Sequence, residues 1–275
     1  MIPRLEARRY LQPLREGGSL PAVVETGDGL HVVKFRGAGQ GPRALLAELL
    51  VGLIARALDL PVPELALVDV PPELGREERD PEIRDLLDAS RGLNVGMRYL
   101  DGAFNYQSGA AEDLIDAELA SRIVWLDAYV TNPDRTARNP NLMIWQRRPW
   151  LIDHNAALYA HHAWGAVDAA RTRTPFPLIR DHVLLGKAEH LGRVDAEMAT
   201  RLGPGRLAEI VDALPEELLM DPLARGDFPS ADEARTRYAR YLTERLEGPR
   251  AFVEEAVRAR ATRLASPPRR LEIRR

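Results

Sequence analysis

The chain has no cysteine, which excludes disulfides, thiol catalysis and cysteine-ligated zinc. It has no apolar run approaching the roughly 18 residues that a membrane helix needs. Its first residues, MIPRLEARRYLQPL, carry too many Arg and Glu for a signal peptide. A cytoplasmic protein with no membrane partner is therefore expected. Excess charge is also missing: the formal net charge is −3, which argues against direct nucleic-acid binding. Lysine is nearly absent. Of 38 Lys plus Arg, only Lys34 and Lys187 are Lys. A chain that meets almost every need for a cation with Arg points to its retained ammonium groups as chemically required, because the two cations are not interchangeable.

What is present is globular. Hydrophobic residues make up 45% and charged residues 29% of the 275 positions, enough for an ample core and for one bilobal unit or two small domains. No internal repeat or low-complexity segment interrupts it.

The most informative stretch runs from Asn132 to Asn155. A polar loop, NPDRTARNP, leads into a predicted strand over Asn141–Trp145, a turn around Arg147, Arg148 and Pro149, and a second strand over Trp150–Ile152 that ends at Asp153. This hairpin brings Asp134, Asn139 and Asp153 to one mouth. Two carboxylates and a carboxamide oxygen suit a hard cation such as Mg²⁺. In kinase-type phosphoryl transfer an Asp orients the acceptor hydroxyl, an Asn five residues on holds a metal, and an Asp after the next hairpin holds the metals on the phosphates. The spacing also suits a plainer reading, in which Asn132, Pro133 and Asp134 form a turn and Asp153 ends a strand.

Upstream, Ala22–Glu25 and Leu30–Phe35 read as strands joined by Gly27-Asp28-Gly29, a hairpin signal because Asp-Gly supplies positive φ. Gly17 and Gly18 precede it and could let backbone amides approach phosphates, although no GxGxxG is present. Lys34 falls near the end of the second strand. Pro42–Leu58 is the clearest helix, with Leu45, Leu46, Leu49, Leu50, Leu53 and Ile54 on one face, ended by Leu60-Pro61-Val62-Pro63. Glu48 lies within it, where a carboxylate needs a partner. Lys34 would be that partner, as in the ion pair that positions ATP in protein kinases.

Further strands are expected over Leu65–Val70 and Val95–Leu100, with a charged, helical, exposed segment between them (Pro71–Arg91). Asp101-Gly102 is a plausible hinge where a nucleotide base would stack. A buried helix over Glu112–Val130 delivers the chain into the Asp134 loop. Beyond Thr174, helices are expected over Leu178–His190, Val194–Leu202, Gly205–Leu214, Ala231–Leu246 and Pro249–Leu264, with a frayed tail from Ser266. His154, His161 and His162 lack the further ligands and fixed spacing of a zinc site.

The glycine-pair hairpin ending in Lys34, the helix of Glu48, and the stretches ALDLPVPELALV and DAYVTNPDRTARNPN together resemble the HipA-like kinases over roughly residues 15 to 165. The resemblance implies an α+β, bilobal protein-kinase-like fold. Its N-terminal antiparallel β lobe with one main helix would span residues 1–101, and its mainly helical lobe with the catalytic loop residues 102–265. It implies ATP and Mg²⁺ as cofactors and transfer of the γ-phosphate to a Ser or Thr of an unidentified protein acceptor. Position by position, Lys34 would hold ATP phosphates, Asp134 would be the catalytic base, and Asn139 and Asp153 would bind Mg²⁺. Arg138, where the family's loop usually has Lys, would neutralise the γ-phosphate, and Ser19 would be the autophosphorylation candidate. Arg135-Thr136 follows Asp134 where HipA proteins commonly have a His two after the Asp. The extra N-terminal subdomain of full-length HipA toxins is lacking, so a toxin role with a DNA-binding antitoxin partner is not expected.

NPDRTARNPN with LIDHNAALY is also similar to type II phosphatidylinositol 4-kinases, in which an Asp-Arg loop precedes the metal Asn. The absence of cysteines for palmitoylation and of a basic amphipathic helix argues against a lipid acceptor. Two alternatives to a protein kinase stay open on sequence: a non-catalytic nucleotide-binding pseudokinase, and a lipid or small-molecule kinase.

Overall fold

A computed structural model describes residues 2–14, 20–39, 41–76, 78–109, 111–221 and 226–265. Gly17, Gly18, Ser19 and the tail from Ser266 lie outside these described residues.

Five strands close into a barrel in the order β1-β2-β3-β5-β4. They are β1 (Arg4–Pro13), β2 (Ala22–Thr26), β3 (Gly29–Lys34), β4 (Leu65–Val70) and β5 (Gly92–Arg98). The β2–β3 hairpin turns through Gly27 and Asp28, and Gly29 takes φ +97° at the start of β3, a conformation glycine adopts without steric penalty. All pairings in the barrel are antiparallel except β1 with β4, which is parallel with Arg4 opposite Leu67. The expected purely antiparallel sheet is thus corrected by β1, which sequence reasoning passed over. Only Ala7 of its ten residues is buried, and the alternation of RLEAR breaks at Arg8-Arg9 and Tyr10-Leu11, too short a pattern to betray a ten-residue strand.

Helix α1 (Gly41–Ala57) covers one face of the barrel. Ala66, Val68 and Val70 of β4 point into the barrel with Ala22, Val24, Val33 and Phe35, while Leu65 and Leu67 turn outward to the cluster that contains α1. Burial of both faces explains why LALVDV reads as a nearly continuous apolar run. Gly52 lets helix and strand approach closely: a Cβ there would stand 2.8 Å from Leu65 Cδ1.

Among the described residues between β4 and β5, only α2 (Pro81–Ala89) is helical, started by Asp80, whose carboxylate accepts from the Glu82 N–H. Residues 71–76 form turns rather than the helix expected across the whole segment. After β5, a turn at Asp101 and Gly102 leads to β6 (Phe104–Asn105), which joins β7 (Leu142–Trp145) and β8 (Arg148–Leu151) in a second small sheet. The β7–β8 turn lies at Gln146 and Arg147, both with positive φ (48° and 60°), two residues tighter than the sequence suggested.

Helix α3 (Ala117–Tyr129) starts at Asp116, whose side chain caps Leu119 N–H. The expected first turn from Glu112 is a separate 3₁₀ turn, Glu112–Leu114. Helices α4 (Ala169–Thr172), α5 (Leu191–Arg201), α6 (Pro204–Asp212), α7 (Glu216–Leu219), α8 (Ala231–Leu246) and α9 (Ala251–Ala265) follow. The helix expected over Leu178–His190 is not formed. Two 3₁₀ turns stand there (Pro177–Asp181 and Leu185–Lys187), because His182 and Val183 spend their polar groups on the loop after α3 rather than on a helix. His182 bridges to Thr136, and Val183 N–H donates to Arg135 O at 3.0 Å.

A single apolar cluster runs from α1 and the outer face of β4 and β5 through α3 to α5, α6, α8 and α9. Its centre is aromatic: Trp125 stacks on Tyr129 at 5.2 Å between centroids and meets Phe252 edge-on at 5.5 Å. No helix among the described residues is long and apolar enough to cross a membrane.

Candidate active site

Barrel, α1 and the β7–β8 hairpin meet at Lys34. The last residue of β3, it is only 5% exposed. Its ammonium donates to Glu48 Oε2 at 2.7 Å and to Asp153 Oδ1 at 2.5 Å. Burial opposes the ammonium's charge, but the carboxylates of Glu48 and Asp153 outweigh it and hold the pKa above the ordinary lysine value. Glu48 itself is fully buried on α1. Its Oε2 also accepts the His154 backbone N–H at 2.7 Å, so one carboxylate oxygen joins β3, α1 and the turn after β8. The Lys34–Glu48 pair is as the sequence suggested. The direct bond from Lys34 to Asp153 adds a third member.

Asp153 follows β8 with φ +55°, in the left-handed region that side-chain-bearing residues adopt only when their surroundings hold them there. Asp134 sits half-buried in the loop after α3. Its Oδ2 accepts from Asn139 Nδ2 at 2.8 Å and from Asn141 Nδ2 at 3.0 Å. Asn141 also accepts the Ile152 N–H on its carbonyl, at 3.1 Å, and so ties the Asp134 loop to the strand that ends in Asp153. Arg138 and Asn139 are exposed on the loop surface, and Arg138 has no ion-pair partner among the described residues.

Beneath this loop lies a charged network that sequence reasoning missed. Asp127, fully buried on α3, accepts from Arg135 Nε at 2.6 Å, His182 Nε2 at 2.9 Å and Asn132 Nδ2 at 2.9 Å. Burial would raise the carboxyl pKa, but Arg135 and His182 overcome this and hold it far below the ordinary carboxylate range. His182 Nδ1 accepts the Leu184 N–H at 3.0 Å, which fixes the proton on Nε2 and leaves the ring neutral. Burial is also the main reason its pKa is lowered. His154, buried and beside Arg135, is pushed down to about 3, burial being the larger cause. Asp127 was legible by the same reasoning that singled out Glu48: an acid inside the apolar run IVWLDAYV needs a partner.

His161 and His162 form a 3₁₀ turn (Tyr159–His162) rather than a loop, and His161 Nδ1 meets Tyr238 OH at 3.0 Å. Among the described residues no group of three or more His, Cys, Asp and Glu side chains forms a metal cage. Mg²⁺ does not require one, since it keeps several waters and binds through one or two carboxylates plus substrate phosphates. Asp134, Asn139 and Asp153 supply that kind of donor set, and the fixed ammonium beside Asp153 suits phosphate oxygens. A surface groove of about 640 Å³ between α6 and α8 includes none of these residues.

The fold is similar to the crystal structure of the Helicobacter pylori proinflammatory kinase CtkA. The TM-score is 0.56 at 12% sequence identity, over 94% of this chain and 99% of that one. At that identity the likeness is one of fold. No curated protein matches the chain. The family model for HipA-like kinases matches residues 9–167, a span holding the strand of Lys34, the helix of Glu48, and the loop and hairpin from Asp134 to Asp153. On that match, over more than half its length, the chain belongs to the HipA-like kinase family.

Proposed function

We propose that this kinase uses ATP and Mg²⁺ and transfers the γ-phosphate to a Ser or Thr hydroxyl of a protein acceptor. The observation that carries the reading is the buried ammonium of Lys34 held between Glu48 and Asp153, with Asp134 oriented by two carboxamides at the adjoining loop.

Asp153 and Asn139 would hold the metal, and Lys34 the phosphates. When bound, Mg-ATP supplies the phosphoryl group, and the metal neutralises charge as the bond to the acceptor oxygen forms and the bond to the ADP oxygen breaks. The chain's own contribution is positioning and electrostatics. Glu48 keeps Lys34 charged and aimed whether or not Asp153 also holds it. Asn139 and Asn141 fix one oxygen of Asp134, leaving the other to accept the proton that the acceptor hydroxyl gives up. Arg138, exposed at the loop surface, would meet the γ-phosphate. Asp101 and Gly102 would form the hinge between a lobe of residues 1–101 and one of residues 102–265. Autophosphorylation at Ser19 rests on the family resemblance, since that residue lies outside the described region.

The test is incubation of the purified protein with γ-labelled ATP and Mg²⁺, wild type beside Asp134→Ala, following label on protein and phosphate release. Loss of an aligned general base is expected to lower turnover by about a hundredfold or more. Equal turnover in the two proteins would refute the role of Asp134. Transfer to an inositol lipid or a soluble alcohol in preference to protein would reassign the acceptor.

A further inference from the structure

We infer that Arg135 is a positioning residue whose single guanidinium sets both the proposed base, Asp134, and the proposed metal aspartate, Asp153. The inference rests on the kinase reading given above, and goes beyond it by naming what holds the two acids in register.

Arg135 is 1% exposed and distributes its donors in three directions. Nε is anchored on Asp127 at 2.6 Å. One terminal nitrogen donates to Asn141 O and lies 3.4 Å from Ile152 O. The other faces His154 Nδ1 at 3.3 Å. Ile152 and His154 flank Asp153 on either side. Asn141 is one of the two residues, with Asn139, whose side chains donate to Asp134 Oδ2. Both backbone positions that this guanidinium grips or brackets are left-handed: Asn141 and Asp153 have φ of +47° and +55°, a conformation that the surroundings must hold in place. The Arg135 carbonyl in turn accepts Val183 N–H at 3.0 Å, so the residue is held from both ends. A planar fork with five donors can serve this many acceptors at once, whereas an ammonium on a flexible stem cannot keep their angles.

Arg135→Lys keeps the charge opposite Asp127 but loses the fork. Asn141→Gly keeps the positive φ and the carbonyl that Arg135 grips, and deletes only the amide that reaches Asp134. Two readouts separate the arms: phosphate transfer or release from γ-labelled ATP, and Mn²⁺ affinity measured by electron paramagnetic resonance with a non-hydrolysable ATP analogue present. Arg135→Lys is expected to lower kcat by about a hundredfold, as a misplacement of about 1 Å does, and to weaken Mn²⁺ by about tenfold. Asn141→Gly is expected to lower kcat about tenfold, with Mn²⁺ affinity unchanged. The double variant should be no slower than Arg135→Lys alone, because both act through one link.

Wild-type kcat and Mn²⁺ affinity in Arg135→Lys would overturn the inference, as would losses that multiply in the double variant. If Arg135→Lys fails to fold by circular dichroism, Asn141→Gly decides: full kcat in that variant overturns the link. A wild-type protein that neither binds Mn²⁺ with nucleotide nor transfers phosphate would instead overturn the kinase reading, a result distinct from equal behaviour of wild type and variants.

Discussion

Lys34 is an ammonium removed from water, and its stability depends on two carboxylates within hydrogen-bond reach. Taking away one member of such a buried group leaves an uncompensated charge. Lys34→Met should therefore destabilise the fold by about 3–5 kcal/mol, because Glu48 is left fully buried and unpaired. Lys34→Met with Glu48→Leu should recover most of that loss, since an apolar pair of similar volume has no charge to desolvate. Chemical denaturation of the three proteins checks both statements; a Lys34→Met variant as stable as wild type would contradict the first. Lys34 and Glu48 were legible because each breaks a local habit, a lysine in an arginine-using chain and an acid in a leucine-rich helix. The contact between Lys34 and Asp153 was not, because it joins residues 119 positions apart and no local pattern encodes that distance.

Helix α3 delivers the chain to the Asp134 loop, and its C-terminal end is held by Arg245 of α8. That side chain is 3% exposed and donates to Tyr129 O at 2.7 Å, Ala128 O at 3.0 Å and Thr172 O at 2.7 Å. No ion pair involving it is found among the described residues. Backbone carbonyls at the negative end of α3, together with the Phe252 ring 5.2 Å away, balance its charge. Arg245→Met should destabilise by roughly 3 kcal/mol, through buried carbonyls left without donors. A shift of the denaturation midpoint checks the size, and an unchanged midpoint would contradict the capping role. α3 itself was readable from its periodicity. Of the helices expected after Thr174, only that over Leu178–His190 fails to form: its Leu and His spacing suits a helix, whereas His182 and Val183 bond to Asp127 and to the Arg135 carbonyl. A buried anion outweighs a weak helical preference there.

Four interior histidines bear on the stability of the whole molecule. Burial lowers the pKa of His31, His154, His161 and His182 below the ordinary value. At pH values below about 6.5 the unfolded chain binds protons at these rings that the native protein does not. Their contribution to stability is thus complete above about pH 6.5 and falls as pH drops, by up to about 1.4 kcal/mol per pH unit for each ring. Denaturant midpoints at pH 7.5 and 5.5 should differ in that direction. A flat profile between them would show the rings charged in the native state. At this scale the barrel was the least legible feature. Six of the ten residues of β1 are exposed and only Ala7 is buried, so what makes it a strand is chiefly the ladder offered by β2 and β4.

The sequence by itself determined the elements with a strong apolar or turn signal of their own, which is why α1, α8, β4 and the β2–β3 hairpin fall within a residue or two of expectation. It also supplied polar residues that pair locally: Asp134 accepts from Asn139, five positions on, at 2.8 Å. Only the tertiary structure decided the parallel closure of the barrel, the double engagement of Lys34, and the bonding of Arg135 to Asp127, Asn141 and His154. Those depend on buried charges and carbonyls finding partners far away in the chain. The free energy that selects them, the penalty of an unpaired polar group in a dry interior, exists only once the core has closed around them.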